Sequence, residues 1–160
     1  RVKSATDQAI PAGTAVATKT LLRLYHYSGH AEYLQRAEQV LRLYKRPMEQ
    51  QPFGYGSLLT TLDFYLQKPQ EIVLLGTLES PEAQALLRTI RQCYLPNKTL
   101  IHVDPSSPDA APRLSPLLAE ALAGKTTVDG KATVYVCHNF TCSLPVTDPQ
   151  ALTALLTKAS

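Results

Sequence analysis

The chain of 160 residues has no run of basic residues: 16 Lys and Arg stand against 13 Asp and Glu, and the net charge of +3 is scattered. That distribution gives no footprint for nucleic acid, which is not an expected partner. Apolar stretches are short, such as Ile72 to Leu75, and fall far below the roughly 18 to 20 residues of a membrane span. No membrane partner is expected, and no signal peptide is legible. Cysteine is scarce and odd in number, three in all, which argues against a secreted disulfide scaffold and makes the cytoplasm the expected location. A methionine is missing from position 1, where Arg1 stands, and helical patterning begins within a dozen residues, so a segment of a longer protein is expected. What is present, 44% hydrophobic and 18% charged residues, suits a folded chain with a core and not a disordered tail.

Residues 1–67 read as helical. After Ile10-Pro11-Ala12-Gly13, the apolar Ala15, Val16, Leu21, Leu22 and Tyr25 leave Thr18, Lys19 and Arg23 between them, and Gly29 is placed to stop the helix. A second, amphipathic helix carries Leu34, Ala37, Leu41 and Tyr44 at three- and four-residue steps, with Pro47 closing it. A glutamine-rich loop then leads through Gly54 and Gly56 to a third helical pattern on Leu58, Leu59, Leu62 and Leu66. The expectation is a helical hairpin plus one helix.

From Pro69 the pattern changes. Glu71 to Leu75, ending at Gly76, has the continuous apolar character of a strand buried on both faces. Ser80 can cap the next helix, Pro81 fits its first turn, and Ala83, Leu86, Leu87 and Ile90 form its stripe. Thr99 to Val103 is the following strand, so strand, helix and strand make a βαβ unit expected to cross over right-handed with parallel strands. The proline-rich stretch Asp104 to Pro116 reads as a loop, and Leu117 to Leu122 as a short helix. Asp129-Gly130 signals a turn before a third strand at Ala132 to Val136. Asp148 and Pro149 open a last helix with Leu152, Leu155 and Leu156 on one face. The expected fold class is therefore α+β or α/β: a helical segment over 1–67, then a small three-stranded α/β unit over 68–160.

Cys137 and Cys142 flank His138-Asn-Phe-Thr141 directly after a strand. The plain expectation is two partly buried thiols packing a strand end and a loop. A disulfide is open to them if the loop folds back, a redox role would use Cys137, Cys142 and His138, and a zinc site would have to recruit Cys93 and His138. His26 and His30 have a metal-like spacing, but Gly29 between them moves His30 off the helix face; no metal is expected. His102 falls within a strand and reads as a sheet residue. Gly124-Lys125-Thr126 ends like a phosphate-binding loop, yet Ala119 stands where that motif needs glycine. Glu79 and Glu82 crowd the start of the helix at Pro81 with negative charge, so no nucleotide cofactor is expected there.

Several segments together, Asp7-Gln-Ala-Ile-Pro-Ala-Gly13, Pro69-Gln-Glu-Ile-Val73, Tyr94-Leu-Pro-Asn97, Gly124-Lys-Thr126, Asp129-Gly-Lys131 and above all Tyr135-Val-Cys-His-Asn-Phe-Thr-Cys-Ser-Leu-Pro-Val-Thr-Asp148, resemble the carboxyl-terminal end of a large family. Its members join an amino-terminal thioredoxin-like domain to a six-hairpin α/α toroid related to glycosidases and sugar epimerases. The resemblance implies that the three helices are the last part of the toroid and that the α/β unit is its terminal appendage. It implies as partners the thioredoxin-like domain and the remaining toroid helices of the same protein, and allows for self-association of the segment alone. The family's redox cysteine motif belongs to the thioredoxin-like domain, so no catalytic residue carries over from it. Cys137 and Cys142 do match the terminal motif. Pro11-Ala-Gly-Thr14 departs from the family's Pro-Ser-Gly-Asn. The expected function is that of a non-catalytic structural segment needing no cofactor. The alternatives are thiol–disulfide redox through Cys137 and Cys142, and carbohydrate binding or isomerisation at the toroid mouth through Asp7, Gly13 and Thr14.

Overall fold

The computed structural model describes residues 5–106, 119, 122–138 and 141–158. The chain divides between Gln67 and Lys68 into a helical unit and an α/β unit.

In the helical unit, α1 (Gly13–Ser28) starts after Pro11 and stops at Gly29, which takes a left-handed conformation at φ 72° and donates its N–H to Tyr25 O at 2.8 Å. Such a cap satisfies a carbonyl that the last turn leaves open, and glycine adopts it without a Cβ clash. α2 (Ala31–Leu43) packs back on α1, burying Ala37 and Leu41, and α4 (Gly56–Gln67) completes the unit with Leu58, Thr61 and Phe64 buried. Side chains gather around Leu58 with Ala15, Leu41, Met48 and Tyr55, and around Phe64 with Leu22 and Ala37. The segment between α2 and α4 corrects the expected loop. It forms α3 (Lys45–Gln50) and a 3-10 turn (Pro52–Tyr55), and Pro47 sits in the first turn of α3 instead of ending α2. Proline is tolerated there because a first-turn N–H has no intrahelical acceptor to lose.

The α/β unit holds a four-stranded sheet in the order β2-β1-β3-β4: β1 (Gln70–Leu75), β2 (Lys98–Val103), β3 (Thr133–His138) and β4 (Thr141–Cys142). β1 and β2 run parallel with α5 (Pro81–Gln92) between them in sequence, and β3 pairs antiparallel with both β1 and β4. Four strands replace the expected three; β4 has only two residues, too few for any alternation to be read. Ser80 caps α5 by accepting the Ala83 N–H at 3.1 Å, and Asp148 caps α6 (Pro149–Lys158) by accepting the Ala151 N–H at 2.7 Å. α5 and α6 cover one sheet face: Leu86, Ile90, Leu152 and Leu156 meet Ile72, Leu74, Val134 and Val136 in one cluster. Each such side chain contributes about 1.5–3 kcal/mol through burial.

Two details shape the sheet. Gly76 leaves β1 at φ 132°, and a Cβ there would stand 3.1 Å from Ala132 Cα and Cβ, so the close approach requires glycine. Beyond β4 the chain keeps following β3, with Ser143 N donating to Val136 O at 2.8 Å and Val134 and Val146 exchanging both backbone bonds. The register slips by one residue between those two points, a bulge at Leu144–Pro145, and Pro145 has no N–H to offer a further strand. The expected helix at 117–122 and most of the loop at 104–116 lie outside the described residues; within them, Ala119 and Leu122 are helical. Among the described residues no helix is long and apolar enough to cross a membrane.

Candidate functional site

Strand alternation sends Ile72, Leu74, Val134 and Val136 to the helix-covered face and Glu71, Val73, Tyr135 and Cys137 to the other. The register there runs Thr99↔Glu71↔Cys137↔Cys142 across all four strands. Directly opposed residues hold their Cβ atoms about 4.5–5.5 Å apart, so these four side chains form a row. Cys137 and Cys142 are joined as a disulfide, which corrects the expectation of two unbonded thiols. Direct antiparallel pairing brings the two residues close enough to bond, whereas five positions of sequence separation alone do not fix that geometry. Closing so short a loop stabilises the fold by about 2 kcal/mol on the chain-entropy account. Cys93 is the free thiol, half-buried against the helix-covered core.

The two sulfurs stand in different surroundings. Cys137 is 4% exposed in the middle of the row, whereas Cys142 is exposed on the short outer strand. Glu71, beside Cys137, is half-buried, and burial pushes its carboxyl above the ordinary carboxylate range while the positive charge of Lys125 works against that rise. Lys125 Nζ lies 5.8 Å from the centre of the Tyr135 ring, and the Tyr135 hydroxyl donates to Thr126 O at 2.9 Å and accepts the Thr126 N–H at 3.2 Å. The lysine of Gly124-Lys125-Thr126, the segment set aside as a phosphate loop, thus packs on an aromatic ring. The Thr99 hydroxyl is buried and has no hydrogen-bond partner among the described residues. His138 is exposed at the end of β3, one residue on from Cys137, so alternation turns its side chain to the opposite face from the disulfide.

Asp7 occupies a different place. Its Oδ1 accepts the Ala12 N–H at 2.8 Å and its Oδ2 the Ser57 N–H at 2.7 Å, so one carboxylate caps the starts of both α1 and α4. These backbone bonds, the one from Ser57 first, hold its pKa below the ordinary value. Gly13 is the first residue of α1 with open space around its Cα, and Thr14 follows it, half-buried, its carbonyl accepting from the Thr18 hydroxyl at 2.7 Å. The expected sugar contacts therefore cluster at the amino end of α1, where the Asp7 carboxylate is already engaged by the backbone.

The remaining sequence candidates separate. His26 is half-buried with its ring edge-on to Phe64, and burial lowers its pKa; His30 lies beyond the Gly29 stop, exposed, against Tyr33. His102 is exposed on β2 with Nε2 2.8 Å from Gly76 O. No group of three or more His, Cys, Asp or Glu side chains suited to a metal occurs among the described residues. A polar cavity of about 360 Å³ lies beyond the carboxyl ends of β1 and β2, bordered by Thr77, Ser80, Glu82, Asp104 and Lys131. Its two carboxylates make it unsuited to an anion. The helical unit carries an apolar groove of about 360 Å³ along Leu41, Met48, Leu59, Leu62 and Tyr65, with the Tyr65 hydroxyl donating to Glu38 Oε1 at 2.7 Å on its rim. Sequence reasoning missed Glu71, Lys125 and Tyr135 as neighbours of the cysteines. Period-two alternation could have grouped Glu71 with Val73 and Tyr135 with Cys137, but only the register joins the two sets.

The chain is homologous to spermatogenesis-associated protein 20 across nearly its whole length: it is 31% identical to the mouse protein and 30% to the human one, over 98% of the chain in both cases. It is also 29% identical, over 95% of its length, to an uncharacterized protein of Caenorhabditis elegans. The chain spans 19% of the length of the mouse and human relatives and is thus similar to one part of a larger protein. No family model and no solved structure matches it.

Proposed function

We propose that the chain is a non-catalytic structural segment of a larger cytoplasmic protein, its helical unit the end of a six-hairpin α/α toroid and its α/β unit the terminal appendage. The observation that carries this reading is the open apolar groove of Leu41, Met48, Leu59, Leu62 and Tyr65, a surface suited to helices from the rest of such a protein. The span of the similarity supports it, since the relatives hold about four-fifths of their length outside the matching part. The double capping by Asp7 supports it as well, because a carboxylate held by two backbone N–H groups is doing a structural task. On this reading the partners are the remaining toroid helices and the thioredoxin-like domain of the same protein. The test is sedimentation and apolar-dye binding of the chain alone. Dye binding and concentration-dependent self-association are expected, both weakened by Leu62→Asp. A monomer that binds no dye, or one that turns over a substrate unaided, would overturn the reading.

The disulfide favours a second reading, a thiol–disulfide redox role for Cys137 and Cys142. In a reducing compartment disulfides are transient, catalytic or redox-sensing bonds, so a cytoplasmic location and this bond together point to exchange chemistry. Incubating the folded chain with reductant and counting alkylated thiols tests it: both cysteines are expected to open without denaturant. Release only after unfolding would make the bond purely structural.

A further inference from the structure

We propose that Cys137 and Cys142 form an exchange site for a partner dithiol in which Cys142 is the sulfur attacked, Cys137 the leaving sulfur, and Glu71 the group that protonates it. This rests on the redox reading above and adds to it an order of attack and a proton donor. The order follows from the surroundings of the two sulfurs. Cys142 is exposed on the short outer strand, and Cys137 is 4% exposed in the row between Glu71 and Cys142. An incoming thiolate therefore reaches Cys142, and the electron pair of the broken bond is delivered to a sulfur inside the protein.

That delivery creates the need for a proton. A thiolate formed at Cys137 would be a buried charge, costly without a partner, and its nearest register neighbour on β1 is a carboxyl group. If Glu71 were ionised the two negative charges would repel each other. If it carries its proton, transfer to the sulfur leaves one charge, on the carboxylate. Burial raises the Glu71 pKa, which keeps it protonated to higher pH than an exposed glutamate. Among the described residues, the other groups around it are Lys125, whose charge favours the carboxylate, Tyr135, whose hydroxyl is engaged by Thr126, and the buried Thr99 hydroxyl at the paired position on β2.

The exchange balances as follows. The partner's thiolate attacks Cys142 Sγ, forming a mixed disulfide and breaking the bond to Cys137 Sγ, which takes the Glu71 proton. The partner's second thiolate then attacks its own sulfur in the mixed disulfide. Cys142 departs as a thiolate that is protonated from water. The chain gains two electrons and two thiols, and the dithiol becomes a disulfide. In reverse, the Glu71 carboxylate removes the Cys137 proton.

The probes are dithiothreitol and glutathione, applied to the folded chain. Mass spectrometry of the trapped glutathione adduct should place it on Cys142; an adduct on Cys137 would overturn the order. Rates of reduction by dithiothreitol, divided by its thiolate concentration, should fall as the pH rises through the Glu71 titration, which burial moves above that of an exposed glutamate. In Glu71→Gln the corrected rate should be flat and, at the acid end, about tenfold or more below that of the unchanged protein. Identical profiles in the two proteins would remove Glu71 from the mechanism while leaving the redox reading intact. A disulfide that resists both reagents until the chain unfolds would remove the redox reading itself. Should Glu71→Gln fail to fold, the profile of the unchanged protein decides, and a flat one overturns the proposal.

Discussion

In the α/β unit, buried side chains from two strands and two helices meet in one continuous cluster, from Ile72 and Val136 to Leu86 and Leu156. In the helical unit they fall around separate centres, Leu58 and Phe64, and an apolar groove stays open along Leu59, Leu62 and Tyr65. Both sequences are comparably apolar in their helices, so the difference lies in geometry. A sheet presents a flat face that two helices can cover, whereas a few antiparallel helices leave the outer sides of their own cylinders without a layer above them. One unit closes its core on that face, and the other keeps a surface for something else to cover.

The largest effect should come from making a cavity in the closed cluster. Leu86 is fully buried on α5 between the sheet and α6, and Leu86→Ala should cost about 3 kcal/mol from lost burial and an unfilled cavity. Leu41→Ala, buried in the wall of the open groove, should cost less, about 2 kcal/mol, because the space it leaves opens onto the groove instead of forming a closed cavity. Urea denaturation of both variants measures the contrast. Equal losses would break the distinction between a closed and an open core.

Next in size is the clamp that holds the helical unit together in place of a single core. Asp7→Ala removes the acceptors at the starts of α1 and α4 and should cost about 2 kcal/mol, since each lost cap is worth about 1. The charge has a pH consequence whose sign is fixed. The folded carboxyl has a lowered pKa, so its stabilisation is complete above the unfolded value and is lost as pH falls through the folded one. Thermal melting in acid should therefore separate the unchanged protein from Asp7→Asn less and less as pH drops. A constant separation would mean that the two backbone bonds do not depend on the charge.

Much of this architecture is legible wherever the signal is local. Gly29 ends α1, Ser80 and Pro81 open α5, Asp148 opens α6, and Asp129-Gly130 turns with φ values of 51° and 69°. Features set by long-range register are not. Glu71 and Cys137 lie far apart in the chain and meet only because β1 pairs with β3, and the two-residue β4 is a strand only through its pairing with β3. Asp7 reads as a lone carboxylate because one of the N–H groups it caps, that of Ser57, lies 50 residues away. Pro47 misleads for a different reason: a proline that looks like a stop is equally at home in a first turn.

The smallest effect on stability is the most telling for the comparison. Phe53, in the 3-10 turn of the helical unit, is fully exposed, as Tyr94 and Leu144 of the α/β unit largely are. Replacing any of them by serine should change stability by less than about 0.5 kcal/mol, because a side chain already in water has little burial to lose. Their effects on association should differ. If the helical unit is the one that offers a surface to a partner, Phe53→Ser should weaken self-association of the chain in sedimentation, whereas Tyr94→Ser and Leu144→Ser should leave it unchanged. Equal weakening by all three would show that exposed apolar groups associate wherever they occur, and the open groove would lose its claim to a special role.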